Sequence, residues 1–540
     1  MELYGKLMRF KDCTDGKERQ EVMELLFVFL MLRRANADFA RLHSLFSEEY
    51  HGCEEEPENY RRHGVPFIRK ELRWDSLRDG DGIARERVHG AVRELCEENS
   101  DYRELLEQKT KWQEFDDRSL NAAYDIFEDI PEGGETDDAL TEVFEGLMSW
   151  AVPASVGKEL EEYYSPRQVV DLAAGMLRDG SPGVDLTGVD LTGVDLTGSG
   201  MLGKETKETP LVTIYDPCCG SGSFLLGVAD CLRRQSGANA ETADSAECAD
   251  GTAYAGSIRL YGQELSGSAR NIAMANGMIR GMRIDMGEDT ADVFVKDLHP
   301  ELKADFVVGN PPFRAKEWAG SPLPFDPRWK YGIPPKKKSS FAWVEHMLYH
   351  LKDTGKMAVI LGSSTLEGGA AAEQKIRQGM IQDDIISAVL VLPQGMFYNT
   401  KISASLWIID KKKTDECRNR ILLIDGRKMG KREGSRVLLS DEEIRTIRTA
   451  WEMYRKGQYS DPELDSGMWE TAAVAETDEV AEKGYSLYPA RYIRKEKEAL
   501  PSFDELEEEE EFLIARLRSL GKSSTKMMEE IMKGFGGHTE

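Results

Sequence analysis

The residues best suited to chemistry in this sequence are Asn310, Pro311, Pro312 and Phe313, which directly follow the apolar run ADFVVG. The apolar run predicts a buried strand, which places the four residues at its carboxyl end. The prolines stiffen the backbone and carry no N–H donor, so nearby carbonyl oxygens are free to accept hydrogen bonds. Asn310 adds a side-chain acceptor and Phe313 a flat face. The set suits a planar substrate with an exocyclic amino group, such as adenine, although alone it is also typical of a turn that ends a strand.

A glycine-rich segment upstream, DPCCGSGSF from Asp216 to Phe224, lies between the apolar run LVTIY and the apolar segment FLLGVADCLRR. This order predicts a strand, a tight loop and a helix, which alone is common in nucleotide-binding folds. Gly220 and Gly222 allow a sharp turn and close approach to a ligand, and the helix N-terminus supplies unpaired N–H groups. The third glycine of a dinucleotide fingerprint is absent and Asp216 precedes the loop. A ligand with an ammonium group, such as the methionyl part of S-adenosylmethionine, therefore fits better than a dinucleotide.

Length, charge and composition limit the number of domains and the classes of function. The chain has 540 residues, enough for two to four domains, and a net charge of −27. Its eight cysteines show no Cys-x-x-Cys pair, so we expect no metal site, no disulfide framework and a reducing cytoplasm. We expect no signal peptide, and the longest apolar stretch, residues 22–32, is too short to span a bilayer. A DNA-binding protein usually has a basic face. An acidic chain would instead need local patches, such as Lys336–Lys338, or a partner.

The two motifs, and their order along the chain, resemble the amino-group DNA methyltransferases, and more specifically the modification subunits of type I restriction–modification systems. The resemblance runs from about Glu21 to Tyr492 and is densest from Tyr163 to Asp410. It implies that S-adenosylmethionine is the cofactor and that N6 of adenine in DNA is methylated. It also implies partners: double-stranded DNA with a flipped-out adenine, and a specificity subunit that reads the sequence. A second modification subunit and a restriction subunit are further candidate partners, and no membrane is expected.

The resemblance assigns roles to individual residues. The Asn310 side-chain oxygen and the Pro311 carbonyl would accept hydrogen bonds from the target amine, and Phe313 would stack on the flipped base. Glu264, after the predicted strand in LYGQEL, would accept hydrogen bonds from the ribose hydroxyls. Asp297, at the end of a third predicted strand in VFVKDL, would lie near the adenine ring. Either carboxylate could instead cap a helix. The full cofactor-binding set is Tyr164, Ser165, Pro166, Asp216, Pro217, Gly220, Ser221, Gly222, Glu264 and Asp297.

We expect an α/β fold with a Rossmann-like sheet of the S-adenosylmethionine-dependent methyltransferase type. A helical N-terminal domain at 1–152 precedes the catalytic domain at 153–412. A mainly helical region and tail for subunit contact follow at 413–540, with one more possible strand in ILLIDG. The resemblance places an antiparallel last strand at Ala404–Asp410.

Four segments are predicted outside this framework. Residues 183–198 repeat GVDLT, which favours a surface loop over a β-helix coil, because an isolated coil cannot bury a core. Residues 236–256 also form a predicted loop. Residues 314–340, rich in proline, aromatics and lysine, would close over the flipped base; their lysine triplet either contacts phosphates or is solvated. Residues 504–520 predict a helix that contacts the specificity subunit or is simply solvated.

Other functions stay open at this point. The Asn310–Phe313 chemistry also serves methylation of a protein glutamine at N5 or of cytosine at N4. The large N-terminal helical part argues against the small protein-modifying enzymes. A non-catalytic, cofactor-binding assembly subunit is the remaining alternative, and the intact tetrapeptide argues against it.

Overall fold

The computed structural model describes residues 6, 10–14, 16–49, 54–80, 82–107, 109–130, 136–151, 165–178, 212–237, 258–313, 318, 325–397, 403–433, 436–459, 468–493, 514 and 516. Tyr164, the repeat at 183–198, nearly all of the loop at 236–256 and all of the helix at 504–520 but two residues lie outside this range. Residues Met1–Tyr492 form one compact unit, and Ile493–Glu540 form a second. Within the described part of the chain, no helix is long and apolar enough to cross a membrane.

The N-terminal part is mainly helical, as its apolar spacing predicts. Its apolar stretch at 22–32 is the buried centre of the first helix, where Leu25, Phe29 and Leu32 are fully buried. The elements are α1 (Arg19–Glu49), α2 (Pro57–Arg62), β1 (Arg78–Asp79), β2 (Gly82–Ile83), α3 (Arg85–Glu98), α4 (Ser100–Leu106), α5 (Asp117–Glu128) and α6 (Thr136–Ala151). Strands β1 and β2 form a short antiparallel hairpin.

A nine-stranded sheet forms the centre of the rest of the unit. Its order is β13 (Ala472–Glu476), β10 (Arg420–Asp425), β8 (Ile386–Val391), β9 (Ala404–Asp410), β7 (Leu351–Gly362), β6 (Ala304–Gly309), β3 (Val212–Asp216), β4 (Ile258–Gly262) and β5 (Ile284–Asp285). Strand β9 is antiparallel to both β7 and β8, and β13 is antiparallel to β10; the other neighbours are parallel. The predicted strand at Ala404–Asp410 is therefore confirmed.

Helices cover both faces of the sheet because successive strand residues point to opposite sides. In β6, Phe306 and Val308 join one core while Val307 joins the other. The helices are α7 (Arg167–Arg178), α8 (Ser223–Gly237), α9 (Gly267–Ile279), α10 (Ser340–His350), α11 (Ala371–Gln382), α12 (Asp441–Arg455) and α13 (Thr477–Glu482). Buried residues of α7, α8, α9 and α12 share the core of Phe306, and those of α10, α11 and α13 share the core of Val307. The predicted Rossmann-like fold is confirmed.

Arg34 of α1 connects the helical part to the sheet part. Its guanidinium pairs with Asp38 and Asp137 and donates a 3.1 Å hydrogen bond to the Ile279 carbonyl oxygen. Although burial lowers the pKa of Arg34, the two carboxylates raise it above its ordinary value. Ile279 ends α9, where the last carbonyls lack partners within the helix, so Arg34 also caps that helix.

The sheet continues past residue 412. The apolar run ILLIDG forms β10, which pairs with β8, and β13 extends the sheet by one more strand. The alanine-rich sequence AAVAE of β13 carries a weak strand signal, because alanine is depleted in strands. A hairpin of β11 (Lys431–Glu433) and β12 (Arg436–Leu438) lies between them in sequence. The domain boundaries at 152 and 412 stay predictions, but the region after 412 is not purely helical.

The third strand predicted in VFVKDL is wrong. Its place in the sheet order is taken by β5, which ends at Asp285, and residues 293–295 form a turn. The cause is Asp292: its side chain accepts the N–H of Phe294 at 2.9 Å, and its carbonyl accepts the N–H groups of Val295 and Lys296 at 2.9 and 2.8 Å. An aspartate that bonds the backbone two residues on favours a turn over a strand.

Candidate active site

A cavity of about 270 Å³ opens at the carboxyl ends of β3, β4 and β6. Because β3 lies between β4 and β6, Asp216 at its end has the Glu264 segment on one side and Asn310 on the other. The carboxyl edge of a parallel sheet is where such folds bind ligands. The lining residues are Ser165, Asp216, Pro217, Cys218, Cys219, Phe224, Glu264, Leu265, Ala291, Asp292, Val293, Phe294, Asn310, Pro312, Trp318 and Trp343.

The glycine-rich loop turns directly beside this cavity. Gly220 and Gly222 have φ values of +55° and +76°, a conformation that residues with a side chain rarely adopt. A Cβ atom on Gly222 would also come within 3.2 Å of Leu226 Cδ1. The Cys219 N–H donates to the Gln263 carbonyl at 3.1 Å, and the Gln263 N–H donates to the Asp216 carbonyl at 3.0 Å. These bonds hold the loop against the end of β4.

Glu264 holds the same loop through its side chain. One carboxylate oxygen accepts the Gly220 N–H at 2.9 Å, and the other accepts the N–H groups of Leu265 and Ser266 at 2.9 Å each. The N-cap of α9 is Ser266, so the alternative that Glu264 caps this helix is wrong. Glu264 also lines the cavity. A carboxylate has about four acceptor positions, so one remains for a ligand hydroxyl.

Asp216 is fully buried at the cavity wall, where one oxygen accepts the Cys218 N–H at 3.0 Å. Burial raises the pKa of Asp216 to about 7, with a smaller contribution from the charge of Glu264, while hydrogen bonds from Cys218 lower it. A buried carboxylate with this pKa gains most from a cationic partner. The site thus has an acceptor that suits the ammonium group of S-adenosylmethionine.

Asn310 follows β6 and lines the cavity. Its Oδ1 atom is buried and accepts no hydrogen bond from the described residues. Buried polar atoms are nearly always satisfied, so this acceptor fits a donor that the described residues do not supply. Pro312 lines the cavity, Pro311 is buried, and the half-buried Phe313 packs edge-to-face on Phe397 with ring centroids 5.9 Å apart.

An aromatic wall that we did not predict closes another side of the cavity. The Phe294 ring lies 4.9 Å from the Trp318 ring and 4.6 Å from the Trp343 ring. Trp318 is fixed by its indole N–H, which donates to the Pro335 carbonyl at 2.8 Å. Flat apolar surfaces of this kind suit planar rings. The available signal was the aromatic content of two segments: residues 314–340, which we predicted to close over the flipped base, and the helix that follows.

The other predicted cofactor residues divide into two groups. Ser165 and Pro217 line the cavity. Pro166 directly precedes α7, and its carbonyl accepts the Val170 N–H at 3.1 Å. The Ser221 hydroxyl lies 2.7 Å from that of Ser223. Pro166 and Ser221, like the loop glycines, do not line the cavity themselves.

Asp297 does not line the cavity. Its carboxylate accepts a 2.9 Å hydrogen bond from His350 Nε2. Although burial raises the pKa of Asp297, the bond and charge of His350 lower it to about 2. Asp297, His346 and His350 bring ligand-type atoms within 4.8 Å of one another. However, His350 Nδ1 faces the Leu302 carbonyl at 3.0 Å, so both its ring nitrogens already face oxygen acceptors. Asp297 as an adenine contact stays a prediction, whereas Asp292 lines the cavity.

Comparison with known proteins shows which family the chain resembles. Residues 135–500 match the N-6 DNA methylase family model. The chain is 29% identical to the type I restriction enzyme HindI methylase subunit of Haemophilus influenzae, over 74% of this chain and 78% of that one. It is 30% identical to the MjaIX methylase subunit of Methanocaldococcus jannaschii, over 60% of this chain and 56% of that one.

A solved structure shares the fold. The type I restriction–modification methyltransferase subunit from Streptococcus thermophilus has a TM-score of 0.65 and 23% identity, covering 92% of this chain and 99% of its own. The family model spans about two thirds of the sequence and includes the glycine loop, the aromatic wall and the Asn310 tetrapeptide. The chain belongs to the N-6 DNA methylase family.

Proposed function

We propose that this protein is the modification subunit of a type I restriction–modification complex, and that it transfers a methyl group from S-adenosylmethionine to N6 of an adenine in DNA. The observation that carries the proposal is the buried Asn310 Oδ1 just after β6, which has no hydrogen-bond partner among the residues that the structure describes. It lies at one cavity with the buried carboxylate of Asp216. One cavity thus offers an acceptor for an amine hydrogen and an anion for an ammonium group.

The chain's own groups would activate the amine by orientation. The lone pair of an aromatic amine is delocalised into the ring, which makes the nitrogen a poor nucleophile. Asn310 Oδ1 and the Pro311 carbonyl would each accept one amine hydrogen, which draws the nitrogen towards tetrahedral geometry and concentrates its lone pair. When bound, S-adenosylmethionine supplies an electrophilic methyl group on a sulfonium. Placing the nitrogen in line with that carbon contributes more here than acid–base catalysis.

The adenine must leave the duplex to reach this site. We infer that Phe313 stacks on the flipped base, since its ring is only half-buried and is held at a fixed angle by Phe397. On the cofactor side, Asp216 would bind the ammonium group and the remaining acceptor of Glu264 a ribose hydroxyl. The wall of Phe294, Trp318 and Trp343 would contact the adenine ring of the cofactor.

The acidic charge supports a partner-dependent enzyme. A chain with a net charge of −27 repels the DNA backbone as a whole, so a specificity subunit would supply sequence reading and most of the grip. A second modification subunit and a restriction subunit would complete the assembly. We place this complex in the cytoplasm, where the DNA and the reducing conditions that suit free cysteines are found.

The test is labelled methyl transfer by the purified chain, with and without a co-expressed specificity subunit. We expect N6-methyladenine in duplex DNA only when both subunits are present. Transfer to a protein glutamine, or formation of N4-methylcytosine, would replace the proposal with one of the alternatives. Cofactor binding without transfer to any substrate, in the presence of the partner, would favour an assembly subunit.

A further inference from the structure

Residues 325–338, which we name the rim segment, are basic within an acidic protein. The segment reads FDPRWKYGIPPKKK and contains five cations and one carboxylate, a net charge of +4 in a chain of −27. The proposed function does not use this charge. Such a local excess is the usual sign of contact with a polyanion.

Three hydrogen bonds place the rim segment at the cavity. Trp318, which lines the cavity, donates its indole N–H to the Pro335 carbonyl at 2.8 Å and its backbone N–H to the Lys336 carbonyl at 3.4 Å. Arg328 donates to the carbonyl of Val293, another lining residue, at 3.2 Å. The backbone of Lys336 is therefore hydrogen-bonded directly to a residue of the cavity wall.

The cations of the rim segment fall into two groups. Arg328 pairs with Asp326 at 2.6 Å, Lys330 with Asp383 at 2.5 Å and Lys338 with Glu373 at 2.8 Å. Lys336 and Lys337 are exposed and form no ion pair with any residue that the structure describes. Among the cations of the rim segment, these two ammonium groups can bind a phosphate without first breaking an ion pair with a described residue.

Phe325 gives a second and different observation. Its side chain is 96% exposed, whereas Trp329 in the same segment is buried. Phe325 belongs to a segment that contacts the cavity wall through Arg328 and Pro335. An exposed aromatic ring there can stack on a base, because every base presents a flat face and each stacking contact contributes roughly 1–3 kcal/mol. Flipping an adenine leaves a gap in the duplex of the size of such a ring.

We propose that the rim segment contacts DNA at the target base pair: Lys336 and Lys337 bind phosphates beside the flipped adenine, and Phe325 enters the gap that the adenine leaves. This inference rests on the proposed function and deepens it. The specificity subunit would hold the recognition sequence, and the rim segment would hold the strand that carries the reacting base.

The lysines are tested with the K336Q/K337Q double variant in the complete complex with the specificity subunit. The slope of log K for DNA binding against log salt is negative, and each lost phosphate contact reduces its magnitude by about 0.9. For the double variant we expect the magnitude of the slope to decrease by about 2 and DNA affinity to decrease at low salt. S-adenosylmethionine affinity should not change. The matched control is K412Q. Lys412 is also exposed, but it follows β9 at the opposite edge of the sheet.

Phe325 is tested with F325A in the same complex. We expect at least a tenfold lower methylation rate on a fully paired site, and recovery of most of that loss when the target adenine lies opposite an abasic position. Such a substrate needs less energy for flipping. The same loss on both substrates would contradict the role in the gap, and so would no loss on either.

Different results would contradict the proposed methyltransferase function and the proposed DNA contacts of the rim segment. If the wild-type complex forms no N6-methyladenine, the proposed function fails. If the wild type is active and K336Q/K337Q matches both its rate and its salt slope, the lysines are merely solvated and that part of the inference is overturned.

Discussion

Glu264 accepts a 2.9 Å hydrogen bond from the backbone N–H of Gly220, so one carboxylate ties the glycine loop to the end of the neighbouring strand. Its other oxygen accepts the N–H groups of Leu265 and Ser266, just before α9. The sequence predicted Glu264 as a ribose contact, with a helix cap as the alternative. The structure gives it an additional role, since it sets the position of the loop before any ligand arrives.

Glu264→Gln should therefore impair both the fold and the cofactor site. The amide presents an N–H₂ group to at least one buried N–H donor, and an unsatisfied buried donor costs about 1–3 kcal/mol. We expect a loss of that size in the free energy of unfolding, measured with urea, and at least a tenfold weaker S-adenosylmethionine affinity, measured by calorimetry. Glu288→Gln, at an exposed position nearby, is the control for a change in charge alone. Unchanged affinity in E264Q would remove Glu264 from the cofactor site.

The pH dependence of cofactor binding should follow Asp216. Burial raises the pKa of this carboxyl to about 7, so it is largely neutral at pH 6 and largely ionised at pH 8. The ammonium group of the cofactor needs the ionised form, which means that binding releases a proton below pH 7. We expect affinity to rise by up to about tenfold per pH unit below pH 7 and to level off above it. Asp216→Asn should bind weakly at every pH without that slope, whereas Asp289→Asn, at an exposed position, should keep it.

Several site residues followed directly from the sequence because their signals are local. The runs LVTIY and ADFVVG are apolar, short and bounded by turn residues, and they form β3 and β6. Their ends fix Asp216 and Asn310 at one edge because parallel strands share it. The strand at Ala404–Asp410 came from the family resemblance, and its place between β7 and β8 depends on long-range pairing that no local pattern contains.

The errors and omissions have physical causes of the same kind. VFVKDL has strand-type residues, but Asp292 takes the N–H groups that a strand would need. The aromatic wall unites Phe294, Trp318 and Trp343 from three separate segments, and only the fold brings them together. Glu264 holds the loop through the backbone N–H of Gly220. Every residue except proline has such an N–H group, so the sequence does not indicate which one a carboxylate will bond.

Glu345, which does not line the cavity, leads to a prediction about the pH dependence of protein stability. This buried residue of α10 accepts the Tyr331 N–H at 2.7 Å with one oxygen, while the other oxygen has no partner among the described residues. Burial raises the pKa of Glu345 from 4.5 to about 8, against the hydrogen bonds from Tyr331 and Gly332. A raised folded-state pKa contributes stability that is present below pH 4.5 and is lost as pH rises towards 8.

Glu345→Gln keeps the acceptor but cannot ionise. We expect its free energy of unfolding to match that of the wild type near pH 4 and to exceed it by at least about 1 kcal/mol near pH 8, since one pKa unit corresponds to about 1.4 kcal/mol. Glu345→Ala, which removes the acceptor, should be less stable than the wild type near pH 4. Parallel urea titrations of the three proteins at both pH values decide this. A wild type that is more stable than E345Q near pH 8 would contradict the prediction.

Asn310 gives the most direct test of the chemistry. Its Oδ1 is buried without a partner in the described part of the chain, so Asn310→Ala removes an acceptor that the fold itself does not use. The variant should fold with wild-type stability and bind S-adenosylmethionine with wild-type affinity, because Asp216 and Glu264 are unaffected. Methyl transfer in the presence of the specificity subunit should fall by roughly 100-fold or more, the usual effect of removing one oriented hydrogen-bonding group from an active site. Asn310→Asp restores an acceptor but adds a negative charge at the same position, so partial activity in N310D and none in N310A would assign the loss to the acceptor. Equal activity of N310A and the wild type under single-turnover conditions would remove Asn310 from the mechanism.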